Sequence, residues 1–150
     1  MEPNSLGHPQ IRKAVIEDAD ALVTCIDAAY AGYTKLIPDL PPVSEGCAED
    51  ISHNQVWVAI IQDQIVGGLS LVIRGDTIKL ANVFVDPSFH GHGLGSELIA
   101  LAENEAKKQG YTEIRLNTHA QMPDNIALYT HLGWEDISRD GNTISMRKYL

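Results

Sequence analysis

The sequence predicts an α/β protein of the α+β type, built on a single mixed, largely antiparallel sheet of about seven strands. Seven short segments are rich in aliphatic and β-branched residues, and four others show helical spacing of apolar residues. The turns between the three central strands have the lengths of antiparallel hairpins. In chain order the segments read βααβββαβαββ, and no repeat or linker divides the 150 residues. We therefore expect residues 1–150 to form one domain, with residues 1–9 as a frayed extension.

The N-terminal half begins with a loosely alternating strand at residues 11–16. Asp18 is expected to cap a helix that runs to about Tyr30, because its carboxylate can accept from free N–H groups at the helix start. The prolines of residues 37–42 break regular structure, and a short helix follows at about residues 44–52. Three antiparallel strands joined by tight turns complete this half: residues 56–62, 65–73 and 78–85.

The C-terminal half contains a helix that starts at about Leu94 and ends at Gly110, since its leucines and alanines recur at helical spacing. A strand at residues 112–117 and a short helix at residues 124–131 follow. The Asp140-Gly141 pair is a strong hairpin signal between two closing strands. These strands are expected at about residues 134–138 and 143–149.

Composition excludes several classes of function. The net charge of −9 and the pI near 4.9 argue against binding a nucleic-acid backbone and are compatible with a cationic amine partner. The apolar runs are too short to span a bilayer, and residues 1–10 lack the pattern of a signal peptide. Cys25 and Cys47 are expected to stay reduced, which indicates the cytoplasm. The six histidines lack ligand spacing, so we expect no metal site.

The clearest chemical signal is the loop His90-Gly91-His92-Gly93-Leu94-Gly95-Ser96, which lies between a strand and an amphipathic helix. Glycines let a backbone turn sharply and approach an anion closely. The free N–H groups at the start of the following helix then face that anion. This arrangement is typical of phosphate binding.

Three interpretations of the loop compete with one another. A Walker loop requires Gly-Lys-Ser/Thr, which is absent here. A dinucleotide fingerprint requires GxGxxG inside a βαβ unit, whereas this spacing is GxGxG and hairpins precede it. Spacing alone also leaves open a glycine turn with a purely structural role.

The residues resemble the GCN5-related N-acetyltransferase (GNAT) superfamily. Its hallmark, a strand followed by Gln/Arg-x-x-Gly-x-Gly/Ala at a helix start, resembles residues 82–98. A second block, aliphatic-Tyr-x-x-Leu-Gly-aromatic, resembles residues 127–134, and Ile11-Arg12-x-Ala14 resembles the opening strand. The resemblance covers about residues 10–150 in the correct order and implies a GNAT-like fold with helices on both faces of the sheet.

Two positions depart from the family pattern. His90 stands where the hallmark has Gln or Arg, which puts a side-chain contact to phosphate in doubt but does not affect the backbone donors. Met122 stands where many members carry an Asn seven residues before the tyrosine. Asn125 lies four residues before Tyr129, and either contacts the cofactor or caps the helix that begins there.

The resemblance implies acetyl-CoA as cosubstrate and a site for it. The pantetheine arm would lie along Val83, Phe84 and Val85, and the pyrophosphate would lie in the glycine loop. The cofactor residues implied are Val83, Phe84, Val85, His90, Gly91, His92, Gly93, Leu94, Gly95, Ser96 and Asn125. Tyr129 is implied as the general acid for the departing CoA thiolate, since a nearby hydroxyl can protonate such a leaving group. Without the motif, Tyr129 would be an ordinary half-buried helix residue.

The general base is the open part of the sequence interpretation. Many relatives carry a Glu on the central strand, but residues 79–83 contain no carboxylate. Glu17 or His119 are candidates, or the amine arrives deprotonated from solvent. Tyr30, Tyr33 and residues 37–42 lie where relatives build the acceptor pocket, and they could equally be a helix end with its connector.

These features predict an N-acetyltransferase that moves an acetyl group directly to the primary amine of a small molecule or peptide, without an acyl-enzyme. The alternatives are a catalytically silent acyl-CoA-binding or regulatory module and an unrelated nucleotide-binding domain. Relatives of this kind are often dimers, so a homodimer is an open expectation. Specificity for the amine lies in loops that carry no chemical signature.

Overall fold

The computed structural model describes residues 8–36 and 46–150 of the chain. The predicted order βααβββαβαββ is confirmed, with single 3-10 turns at Ile16–Asp18 and Pro87–Phe89. The strands are β1 (Gln10–Lys13), β2 (Gln55–Ile61), β3 (Gln64–Arg74), β4 (Thr77–Val85), β5 (Glu113–His119), β6 (Glu135–Asp140) and β7 (Thr143–Tyr149). The helices are α1 (Ala19–Leu36), α2 (Cys47–His53), α3 (Leu94–Lys108) and α4 (Pro123–His131).

The seven strands form one sheet in the order β1-β2-β3-β4-β5-β7-β6. Every neighbouring pair is antiparallel except β4 and β5, which confirms the mixed, largely antiparallel sheet. Helices cover both faces because the strands alternate apolar side chains between them. Leu98 of α3 packs on one face with Leu69 of β3, whereas Leu22 of α1 packs on the other face with Val58 of β2.

The N-terminal elements differ in detail from the prediction. The first strand ends at Lys13, and α1 continues six residues past Tyr30 to Leu36. Asp18 does not cap α1: its carboxylate accepts from the Arg12 guanidinium at 2.8 and 3.0 Å and from the Val15 N–H at 2.8 Å. The guanidinium hydrogen bond lowers the pKa of the Asp18 carboxyl below its ordinary value.

Three of the sequence expectations concern residues that are described only in part or not at all. Residues 1–7, most of the expected N-terminal extension, lie outside the described ranges, as do the proline-containing residues 37–42. The side chain of Tyr33 also lies outside them. In the described ranges no helix combines the length and the hydropathy that crossing a bilayer requires.

The sheet opens between β4 and β5, and this opening positions the candidate site. The two strands pair in parallel at Lys79–Arg115 and Leu80–Leu116. Their pairing ends there, although β4 continues to Val85 and β5 to His119. Across β3, Ser70 pairs with Asn82 and Leu71 with Leu80, so Ala81 is an extra residue that bulges β4 at the same point.

Candidate active site

A groove of about 310 Å³ lies where β4 separates from β5, and we call it the β4 groove. Five elements line it: α1, the end of β4, the loop before α3, the start of α3, and α4. Its lining residues are Ala29, Tyr30, Val83, Phe84, Val85, Phe89, His90, Gly91, Gly93, Leu94, Gly95, Ser96, Ile99, Asn125, Leu128 and Tyr129. The groove therefore brings together Tyr129 and all of the predicted cofactor residues except His92.

The loop that enters α3 is shaped by glycine at two positions. Gly91 and Gly93 have φ angles of +85° and +75°, a conformation that L side chains rarely adopt. A Cβ at either position would meet no atom of the described chain within 4 Å, so the backbone there is open to a ligand. Gly93 is the N-cap of α3, whose first-turn N–H groups lack partners within the helix. This end of the groove has the geometry of an anion cradle.

The two histidines of the loop occupy different environments. His90 is exposed and lines the groove. His92 stacks on the buried Phe89 with ring centroids 4.3 Å apart, outside the groove lining. His90 therefore lies at the site, whereas His92 packs on Phe89.

Asn125 does not cap α4, so that interpretation is wrong. The helix begins at Pro123, two residues before Asn125, because proline is favoured in the first turn. Its N-cap is Met122. The Asn125 amide donates to the Met122 Sδ at 3.5 Å, and the residue lines the β4 groove. Its placement agrees with the alternative of a ligand contact.

On β4, the side chains of Val83 and Val85 lie on a different face of the sheet from that of Phe84. Val83 and Val85 are half-buried and line the groove. The Phe84 ring packs in the core on the α1 face, close to Gly68, where an added Cβ would be 2.7 Å from the ring. Phe84 therefore offers the groove mainly its backbone. Gly68 is required for this packing, and a glycine inside a strand is the sequence signal that could have indicated it.

Tyr129 lies on α4 and is 8% exposed. Burial raises the pKa of its phenol well above the ordinary value, and the nearby Tyr30 adds to the effect. The hydroxyl is therefore fully protonated at neutral pH. Tyr129 lines the groove in this protonated form.

The Tyr-x-x-Leu-Gly-Trp block is a helix end whose geometry holds Tyr129. Gly133 has a φ of +97°, its N–H donates to the Thr130 carbonyl at 3.1 Å, and the Trp134 N–H donates to the Tyr129 carbonyl at 3.0 Å. These are the two hydrogen bonds of a Schellman motif. The accompanying apolar contact joins Trp134 to Tyr129, with ring centroids 5.9 Å apart. Trp134 itself is buried in the core.

Glu103 stabilises this end of α4 through hydrogen bonds with Trp134 and Lys148. Its carboxylate accepts from Trp134 Nε1 at 3.2 Å and from Lys148 Nζ at 2.8 Å. The Lys148 ammonium also donates to the Leu132 carbonyl at 2.7 Å. The Glu103 side chain is only 17% exposed and bridges α3 to β7.

The sequence model of the Acetyltransferase (GNAT) family matches residues 22–134, which include the groove residues of α1, β4, the glycine loop and α4. The chain belongs to the GNAT family. It is 28% identical over 141 residues to the uncharacterized N-acetyltransferase YjgM of Escherichia coli (strain K12), covering 86% of this chain and 83% of that protein. The resemblance inferred from the two motifs is thus confirmed.

Two solved structures share the GNAT fold of this chain. The PaiA N-acetyltransferase from Thermoplasma acidophilum, in complex with coenzyme A, matches with a TM-score of 0.81 at 23% identity, over 96% of this chain and 100% of that one. A GNAT-family acetyltransferase from Staphylococcus aureus Mu50 also gives 0.81, at 19% identity, over 95% and 99%. At these identities the likeness establishes the fold.

Neither sequence candidate for the general base of this GNAT chain reaches the groove. His119 ends β5 and accepts the Gln121 N–H on its Nδ1 at 3.1 Å, and Glu17 lies exposed in the first 3-10 turn. Tyr30 does line the groove, and its hydroxyl donates to the Asn82 side-chain oxygen on β4 at 3.0 Å. Of the acceptor-pocket residues predicted, Tyr30 lies at the site, whereas the Tyr33 side chain and residues 37–42 are outside the described part of the chain.

A second, more polar depression lies beside the bulge of β4, and we call it the α2 cleft. Its volume is about 610 Å³. It is lined by Gly46, Glu49, Asp50, His53, Asn54, Ser70, Val72, Ile73, Arg74, Ala81 and Asn82. Sequence reasoning did not identify these residues as a group, because they come from α2, β3 and β4, which are far apart in the chain.

Proposed function

We propose that this GNAT chain transfers the acetyl group of acetyl-CoA directly to a primary amine of a small molecule or peptide, within a ternary complex. The observation that carries the proposal is the convergence of three parts on one groove. They are the glycine cradle at the start of α3, the opened edge of β4, and the protonated hydroxyl of Tyr129.

The β4 groove fits acetyl-CoA in shape and in polarity. The cradle around Gly91 and Gly93 presents backbone to an anion, as the pyrophosphate requires. The half-buried Val83 and Val85 flank the next stretch of groove, where a pantetheine arm can pair with the free edge of β4. Asn125 adds one amide to this wall.

Bound acetyl-CoA supplies a thioester. The residues of the chain align this thioester and protonate the thiolate that leaves. A β4 N–H at Val83 or Val85 donates to the thioester carbonyl and stabilises the negative charge that develops there. As the amine nitrogen bonds to the acetyl carbon, the carbon–sulfur bond breaks and the sulfur takes the proton of Tyr129. Burial raises the pKa of the Cys25 thiol to about 12, so this thiol stays protonated at neutral pH and is a poor nucleophile for an acyl-enzyme route.

Tyr129→Phe tests the proposal. Free CoA thiol is followed over a panel of spermidine, lysine, kanamycin and a dialanine peptide. The variant should lower kcat about 100-fold or more, the ordinary contribution of a general acid, while the Kd for acetyl-CoA changes less than about twofold. Tyr111→Phe is the matched control, because Tyr111 is partly buried on the core and is not among the groove residues. Equal turnover of both variants would remove Tyr129 from the acid role.

The same panel distinguishes enzyme from binding module. If acetyl-CoA raises Tm and no amine releases CoA from the wild type, the silent acyl-CoA-binding module is the correct function. The proposal also includes a reducing, cytoplasmic setting, which is supported by the burial of the Cys25 and Cys47 side chains.

A further inference from the structure

Ser70 has a buried hydroxyl that neither the fold nor the cofactor groove explains. The residue is 3% exposed in the middle of β3. In the described part of the chain its Oγ has no hydrogen-bond partner. Buried polar groups are ordinarily satisfied, because leaving one unpaired costs about 1–3 kcal/mol. An orphaned hydroxyl at this depth points to a bound molecule.

A small cavity adjoins this hydroxyl, and we call it the Ser70 cavity. Its volume is about 20 Å³, which is room for a single water. Three polar residues contribute to its wall, namely Asp50 of α2, Ser70 of β3 and Asn82 of β4. Two to four polar partners are what an ordered buried water requires.

The Ser70 cavity lies between the two larger depressions. Asp50, Ser70 and Asn82 line both the cavity and the α2 cleft. On the other side, Phe84 borders both the cavity and the β4 groove, and Asn82 is hydrogen-bonded to the groove residue Tyr30. A water here would therefore stand between the cleft and the strand along which the thioester is proposed to lie.

We infer that the acceptor amine enters through the α2 cleft, and that Asp50 takes its proton through a water held by Ser70 Oγ. The inference rests on the acetyl transfer proposed above. The acceptor binds as its ammonium, one proton of which passes to the water while a proton of that water passes to the Asp50 carboxylate. The neutral amine then bonds to the acetyl carbon, and the nitrogen releases its second proton to solvent. The thiolate meanwhile takes the Tyr129 proton, and both residues regain their resting states by exchange with solvent.

Asp50 is suited to this role in a way that its neighbour Glu49 is not. Its Oδ1 accepts from the Asn54 amide at 2.6 Å, which orients the carboxylate and leaves the other oxygen for water. Glu49 is exposed and lines the cleft but not the Ser70 cavity. Glu49, His53 and Arg74 line the same cleft as Asp50, and Cys47 lies within electrostatic reach of Asp50 and Asp27.

The test compares Asp50→Asn with Glu49→Gln, which removes the same charge one residue away. The acceptor is the amine of the panel that the wild type acetylates fastest. At neutral pH, Asp50→Asn should lower kcat/KM about 100-fold, whereas Glu49→Gln should stay within about threefold. The rate of Asp50→Asn should then rise about tenfold per pH unit with the free amine, toward an amine pKa near 10, while the wild-type profile is flatter.

Ser70→Ala separates positioning of the water from a structural role. Removing an unpaired hydroxyl should leave Tm unchanged or raise it, while kcat falls about tenfold and the Kd for acetyl-CoA stays the same. Equal losses in Asp50→Asn and Glu49→Gln, or a pH profile parallel to the wild type, would overturn the inference and leave acetyl transfer intact. A wild type that releases no CoA with any amine would overturn both.

Discussion

A substitution in the glycine cradle at the start of α3 should affect both CoA binding and the stability of the fold, and the two effects can be measured separately. Gly93→Ala places a methyl group at a residue with φ of +75°, at the N-cap of α3 and in the lining of the β4 groove. A left-handed conformation costs an L residue about 1–2 kcal/mol. In a chain of this size that loss lowers Tm by roughly 2–8 °C.

The matched control is Gly75→Ala in the turn between β3 and β4. Gly75 has a φ of +60°, and an added Cβ would meet no described atom within 4 Å, as at Gly93. Both variants therefore carry a similar backbone cost. Only Gly93→Ala alters the cradle, where losing one charge-assisted hydrogen bond costs about 1.5–3 kcal/mol and weakens CoA binding about 10- to 100-fold.

Titration calorimetry with CoA and thermal unfolding without it measure the two effects on the same samples. We expect similar drops in Tm for the two variants and a raised Kd for Gly93→Ala alone. Two results would refute the reasoning. One is a wild-type Kd in Gly93→Ala, and the other is an equal increase of Kd in Gly75→Ala, which would make the effect a general loss of stability.

Two further predictions concern stability. Asp18→Asn should lower the free energy of unfolding by about 1–2 kcal/mol at pH 7. Because Arg12 lowers the pKa of the Asp18 carboxyl, this contribution is full above about pH 5 and is lost as pH falls through the lowered pKa, so urea unfolding at pH 3 should show a smaller difference. Glu103→Ala should cost about 2–3 kcal/mol, since it leaves the Trp134 N–H and the Lys148 ammonium without their acceptor. Adding Lys148→Met should cost less than the sum of the two single losses, measured by urea unfolding.

The fold was predictable from the sequence because its signals are local. Hairpin turns, the glycine at the end of α3 and the alternation of apolar residues each act within a few positions, and the element order follows from them. The errors also have local causes. Asp18 looked like a helix cap, but a guanidinium six residues earlier offers its carboxylate a stronger partner. Asn125 looked like a cap, but Pro123 starts the helix two residues sooner.

The cofactor half of the site was predictable for the same reason. Gly91 and Gly93 take positive φ angles within one loop, and Gly133 takes one at the end of α4, close to Tyr129. The glycine spacing of each motif therefore indicates where its backbone turns. The Glu103 bridge was not predictable, because it joins α3 to residues 31 and 45 positions away. Such a contact leaves no trace in the periodicity of a single helix.

The proposed acceptor part of the site depends on the bulge in β4, which no sequence motif indicates. Ser70 and Asn82 face the same cavity because β4 carries one extra residue at Ala81, and Asp50 reaches it from α2. The strand that lacks a carboxylate thus shares a cavity wall with a helix that supplies one. If Asp50 is the proton acceptor, the donor and the acceptor of the reaction lie in different surroundings. Tyr129 keeps its proton because it is buried in the β4 groove, and Asp50 lies on the wall of the polar α2 cleft.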